Sequence, residues 1–174
     1  MEPKPVFAPS FVNGMIVAVL LVIFKLVLFL MDVDEQSYLQ FGNYIIFALG
    51  LTWAMYSVRN NRLDGYATYG KAFMIGFYAS LGIAVVVAIY TFVFMKYIDP
   101  GMINDILSQA EDKMIESNPD MTDDELNKAL EITKMIMQPG LMSVISVFIS
   151  LLTGTIFSVV IAIFAKKESV VIEV

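Results

Sequence analysis

Residues 146–162 read SVFISLLTGTIFSVVIA, and Ser146, Ser150, Gly154, Ser158 and Ala162 fall four apart along an otherwise apolar run. Lipid tails are as apolar as leucine, so helices in a bilayer gain little hydrophobic energy by meeting. They associate where small side chains let their backbones approach. A second run, AFMIGFYASLGIAVVVA at 72–88, repeats the pattern with Ala72, Gly76, Ser80, Ala84 and Ala88. Two ridges of equal period predict one helix–helix interface. A four-residue step overshoots a full helical turn by about 40°, so the ridge winds and only its middle can sit in a crossing. Two other readings stand beside this one. Small residues are frequent in membrane helices and can look periodic by chance, and the serines can line a polar path, although a serine hydroxyl also bonds the carbonyl one turn back.

The rest of the chain is of the same kind. Of 174 residues 58% are hydrophobic and 16% charged, and the mean hydropathy is +0.74, far above a soluble domain. A hydrocarbon core of about 30 Å needs about 20 apolar helical residues. Four runs meet that length, at about 11–31, 41–58, 72–98 and 141–165. The first is too long for a signal core, and Leu30-Met31-Asp32-Val33 is no small-residue cleavage site. The expected fold is all-α: one integral membrane domain over 1–174, a four-helix bundle with an extracytoplasmic amphipathic helical hairpin between its third and fourth spans.

Basic residues set the expected orientation. Arg59, Arg62 and Lys71 lie between the second and third spans and Lys166 and Lys167 follow the fourth, whereas the loop after the first holds Asp32, Asp34 and Glu35. The positive-inside rule then puts both termini in the cytoplasm. Trp53 and Tyr56 towards one interface, and Tyr90 and Tyr97 towards the other, suit aromatic belts.

The hairpin is expected over 99–140, with ten acidic residues against Lys113, Lys128 and Lys134, a net charge of −7. Asp99-Pro100-Gly101 breaks the third helix. Ile103, Ile106, Leu107, Ala110 and Met114 then recur at helical spacing, as do Leu126, Ala129, Leu130, Thr133 and Met137. Thr122 with Glu125 forms a capping box, and acids crowd the positive helix end. Such charge disfavours lying flat on anionic lipid. Asn118, Asp120, Thr122 and Asp124 alternate like the start of a calcium loop, but Asp123 stands where glycine is needed and Ala129 where glutamate is needed.

Candidate chemistry is sparse. With no cysteine and no histidine, thiolate nucleophiles, sulfur metal sites and the commonest base and metal ligand are all missing. Neither an enzyme, a metal site nor a bound cofactor is expected, and no basic patch suggests nucleic acid. Lys25 lies well inside a span, which makes it a candidate binding residue. Alternatively it snorkels, because the acidic loop lies about 9 Å of helix away. No other span contains Asp, Glu or Arg, which argues against a proton relay.

One segment is distinctive: LDGYATYGKAF at 63–73, with Gly65, Tyr66, Tyr69, Gly70 and Lys71 leading into the third span. Together with Tyr-Ile-Asp-Pro at 97–100, Thr-Asp-Asp-Glu-Leu at 122–126 and Met-Gln-Pro-Gly at 137–140, it resembles an uncharacterised four-pass membrane-protein family of Bacteroidota, over nearly the whole chain. The resemblance implies a bacterial inner membrane and brings no activity or ligand. On their own chemistry Tyr66, Tyr69 and Lys71 read as interfacial anchors beside a glycine-permitted turn, or as a surface for a cytoplasmic partner.

Two functions follow as expectations. The first is a small interaction or accessory protein, in contact with the lipid bilayer, that offers its acidic hairpin to a membrane or periplasmic partner through Asp120, Asp123 and Asp124. Met102, Met114, Met121, Met135 and Met137 would lend that hairpin an adaptable surface or pack its two helices together. The second is solute or lipid transport through a homo-oligomer, with Lys25 and the serines of the fourth span facing an internal path.

Overall fold

A computed structural model describes residues 5–33 and 37–167. Asp34 and Glu35 of the acidic loop lie outside the described residues. Six α-helices occur among them: α1 (Phe7–Leu30), α2 (Gly42–Arg62, entered through a 3-10 turn at Tyr38–Phe41), α3 (Tyr69–Val93), α4 (Met102–Ser117), α5 (Asp123–Ile136) and α6 (Pro139–Ala165). Four helices are long and apolar enough to cross a membrane: Phe7–Leu30, Tyr38–Arg62, Tyr69–Ile98 and Pro139–Ala165. The fold is all-α, and the chain has the character of a membrane protein.

The helix ends have local causes. Helix α1 begins four residues before its apolar run because Pro9 falls in the first turn, where a missing N–H costs nothing, and because Ser10 donates both its N–H and its hydroxyl to the Val6 carbonyl. Helix α2 outlasts its apolar run by a turn through Arg59, Asn60, Asn61 and Arg62. Hydropathy does not mark its end. Backbone conformation does: Asp64 and Gly65 take φ of 53° and 86°, and the N–H groups of Leu63 and Gly65 both donate to the Arg59 carbonyl, a left-handed helix stop of the kind glycine favours. Helix α3 passes into a π turn at Phe94–Ile98, closed by the Asp99 N–H on the Phe94 carbonyl at 2.9 Å. The Asp99 carboxylate then accepts the Met102 N–H at 3.1 Å. The break at Asp99 therefore also caps α4.

The chain divides into two compact units, Met1–Val87 with Val147–Val174, and Ala88–Ser146. In the first, α1, α2 and the adjoining parts of α3 and α6 pack together. Val17 of α1 lies against Gly50 of α2 and Phe24 against Gly42, so these two helices run antiparallel. Gly76 of α3 faces Ser158 of α6 and Ser80 faces Gly154, again antiparallel. Phe47 meets Phe157 edge-on with centroids 5.4 Å apart, and Tyr56 reaches the Phe164 carbonyl, so α2 and α6 run the same way. The four spans thus alternate in direction. Arg59, Arg62, Lys71, Lys166 and Lys167 fall at one common end. In the second unit α4 and α5 contact each other, and the residues predicted to form their apolar faces are half-buried.

Backbone proximity is greatest where α3 crosses α1. A Cβ at Gly14 would lie 2.7 Å from the Ala79 carbonyl carbon, and one at Gly82 would lie 3.0 Å from the Phe11 carbonyl carbon and 3.1 Å from the Met15 nitrogen. Main chain cannot move aside as a side-chain tip can. Gly14→Val and Gly82→Val are each expected to destabilise the bundle by about 3 kcal/mol, whereas Gly70→Ala, with nothing within 4 Å, should leave it unchanged or slightly more stable. Thermal unfolding followed by circular dichroism in detergent checks the contrast, and equal melting temperatures for all three variants would refute it.

Candidate functional site

Three places carry the sequence-predicted residues. The first is the α3–α6 interface. A Cβ at Gly76 would lie 2.8 Å from the Ser158 Cβ and 2.9 Å from the Met55 sulfur, and one at Gly154 would overlap the Ser80 side chain. Both helices read Gly-x-x-x-Ser here, and the antiparallel crossing sets each serine over the other helix's glycine. Each hydroxyl turns back on its own helix: Ser80 donates to the Gly76 carbonyl at 2.9 Å and Ser158 to the Gly154 carbonyl at 2.6 Å. The serines are small spacers with satisfied polar groups, and both are fully buried. Ala72, Ala84 and Ala162 are buried one step outwards. Ser150, Ala88 and Ser146 are half-buried, and the Ser146 hydroxyl bonds the Ser143 carbonyl at 2.7 Å.

Two features of this packing lie outside the ridges read from sequence. Ser10, Gly14 and Ala18 form a third four-residue period in α1, all three buried, and α3 uses a second face, with Ala79 and Gly82, to meet it. The signal in α1 was the same one, with three members rather than five.

The second place is the end that gathers the basic residues. Arg59 donates to the Ala165 carbonyl at 2.9 Å and to Asn60 Oδ1 at 3.0 Å, with its guanidinium 4.4 Å from the Tyr56 ring centroid. The Tyr56 hydroxyl donates to the Phe164 carbonyl at 3.1 Å and the Tyr69 hydroxyl to the Val159 carbonyl at 3.3 Å. A cation on the last carbonyls of α6 meets the negative end of its dipole. Ala67 and Lys167 then exchange two backbone hydrogen bonds of 2.8 Å, and the Lys167 ammonium lies 5.2 Å from the Tyr66 ring centroid. The Gly65 turn thus holds the segment after α6. Tyr66 is exposed and Lys71 half-buried. Arg59, the central member of this set, entered the sequence reading only as a charge that sets orientation, and its contact with α6 was not legible because the partner is 106 residues away. Lys25, an exposed residue of α1, is not brought to this end.

The third place is the acidic region of α4 and α5. Asp120, Asp123 and Asp124 are all exposed, and among the described residues no group of three metal-ligating side chains converges. The Thr122 N–H and hydroxyl donate to Glu125 Oε2 at 3.0 and 2.9 Å, and the Glu125 N–H donates to the Thr122 hydroxyl at 3.4 Å. The backbone bond from Thr122, with the hydroxyl bond second, holds the Glu125 carboxyl below its usual value of 4.5.

Removing the guanidinium with Arg59→Met should loosen the end of α6 by about 1 kcal/mol, read as several-fold faster amide exchange at Lys166 and Lys167 with the middle of α6 unaffected. Exchange at these amides equal to that of the parent protein would remove Arg59 from this role. For α5, a carboxyl whose folded-state pKa is lowered stabilises above its unfolded value and loses that contribution as pH falls through the folded one. Amide protection at the start of α5 should therefore be full above pH 4.5 and decline below it. Thr122→Ala should cost about 1 kcal/mol and weaken that pH dependence while keeping the part due to the backbone N–H of residue 122, whereas Glu125→Gln should abolish it, as hydrogen exchange at several pH values would show.

No curated protein and no solved structure matches the chain. One family model does, over residues 13–167, from the first turns of α1 to the residue that bridges to Ala67. It takes in most of α1, the other five helices whole and both ends of the Ala67–Lys167 pairing, and the chain belongs to this family, a protein family of unknown function designated DUF4199.

Proposed function

We propose that the chain is a non-enzymatic accessory protein of a bacterial inner membrane, with both termini cytoplasmic, that presents α4 and α5 as a periplasmic hairpin to a membrane or periplasmic protein. One observation carries this reading. Neither α4 nor α5 contains a buried residue, and from 111 to 125 they expose seven carboxylates, Glu111, Asp112, Glu116, Asp120, Asp123, Asp124 and Glu125, against Lys113 alone. The half-buried apolar residues lie along the predicted facing sides of the two helices, and the outward surface from 111 to 125 is a strong negative field. Such a field steers and selects a basic partner. The orientation rests on the common basic end and the positive-inside rule.

Transport has less support. The buried hydroxyls of Ser80 and Ser158 bond carbonyls of their own helices and pack against glycine, which leaves them no lining to provide. Capture of the tagged protein from gently extracted native membranes, followed by native mass spectrometry, tests the proposal. A stoichiometric protein partner is expected, lost when residues 99–140 are replaced by a short linker and weakened at least tenfold by charge reversal at Asp120, Asp123 and Asp124. A partner that survives both changes, or a homo-oligomer carrying a defined solute or lipid, would overturn it.

A further inference from the structure

The outward face of α5 changes character along its length. Its first two turns expose Asp123, Asp124, Glu125, Asn127 and Lys128. Its last turn and a half exposes Ile132 at 58%, Met135 at 63% and Ile136 at 41%. Leu126, Ala129, Leu130, Thr133 and Met137, the face predicted to meet α4, are by contrast all half-buried, and α4 and α5 do contact each other. The chain then enters α6 through Gln138, and the exposed apolar surface resumes within that same compact unit at Leu141 and Val144. Charge is distributed in the opposite sense. Residues 111–125 hold seven acids and one lysine, whereas 131–146 hold only Glu131 and Lys134.

We infer that the C-terminal half of α5 is seated in the headgroup region of the bilayer, with Ile132, Met135 and Ile136 turned into lipid. The occupant of this face is a lipid surface because the chain leads from it, within three residues, into a membrane-spanning helix whose first turns are exposed and apolar at Leu141 and Val144. Counted back from Lys166 and Lys167 at the other boundary, the roughly 20 helical residues that cross hydrocarbon reach to about Ser146, so the first turns of α6 lie at headgroup depth and carry the end of α5 to the boundary. Burying them in the interface gains hydrophobic energy. The seven acids stay away from anionic headgroups because they occupy the opposite end of the helix pair. The distal half alone is then left to water and to a protein partner.

The chain has no cysteine, so single cysteines can be introduced without background. Nitroxide labels at Met135→Cys and Ile132→Cys, with Val144→Cys as the lipid reference and Glu116→Cys as the aqueous one, would be read in the full-length protein in nanodiscs containing phosphatidylglycerol. Collision with a water-soluble nickel chelate at 132 and 135 is expected to be several-fold weaker than at 116, and oxygen collision as strong as at 144. A bimane at 135 should also be quenched by lipids brominated in the upper acyl chain. Nickel accessibility at 135 equal to that at 116 would overturn the inference. So would shielding from both reagents that appears only in native membranes, since that marks a protein cover.

Discussion

The structure depends on how closely α3 can approach its neighbours. At Gly14 and Gly82 the main chains of α1 and α3 meet with no room for a Cβ, and at Gly76 and Gly154 the serine side chains of the facing helix leave none between α3 and α6. In water such contacts would be incidental to a hydrophobic core. In lipid, where burying leucine gains almost nothing, close backbone packing and the dispersion it brings supply most of the association energy. Helix α3 accordingly has the most buried span of the four. It presents small residues on two faces, and every other span is placed by reference to one of them or to its neighbour.

Polar groups follow from the same medium. A hydroxyl in hydrocarbon must find an acceptor, and Ser10, Ser80 and Ser158 each find it one turn back in their own helix. This keeps the side chain folded down and small, so serine can stand in for glycine or alanine on a packing ridge. Charged and phenolic groups are treated differently. Arg59, Tyr56 and Tyr69 sit near the basic end, where their reach is used on carbonyls of α6. Helix–helix specificity is therefore divided between steric fit in the interior and directed hydrogen bonds at that end.

Much of this was legible in the sequence, and the gaps have physical causes. The number and place of the spans follow from hydropathy, because a bilayer imposes a length. The ridges on α3 and α6 are visible because each repeats five times. The ridge on α1 is shorter, and the second face of α3 mixes steps of three and four, which blurs any single period. The end of α2 escaped hydropathy because Arg59 to Arg62 are polar yet still helical. The roles of Arg59 and of Ala67 are set by partners about a hundred residues away, and local pattern carries no trace of them. Thr122 with Glu125 was readable because a capping box is entirely local. Function is the least legible layer, since no histidine or cysteine marks a reaction and the acidic face of α4 and α5 specifies a sign of charge rather than a partner.

The pairing of Ala67 with Lys167 also fixes an order of events during synthesis. The loop that follows α2 emerges from the ribosome early, yet its N–H and carbonyl at Ala67 acquire their partners only when the chain has been made as far as the end of α6. Until then the cleft on α3 formed by Ala72, Gly76 and Ser80 stands open, and Arg59 has no helix end to cap. A nascent chain halted before its last span would hold a grooved, unfinished surface. The pairing of Lys167 with Ala67 closes it.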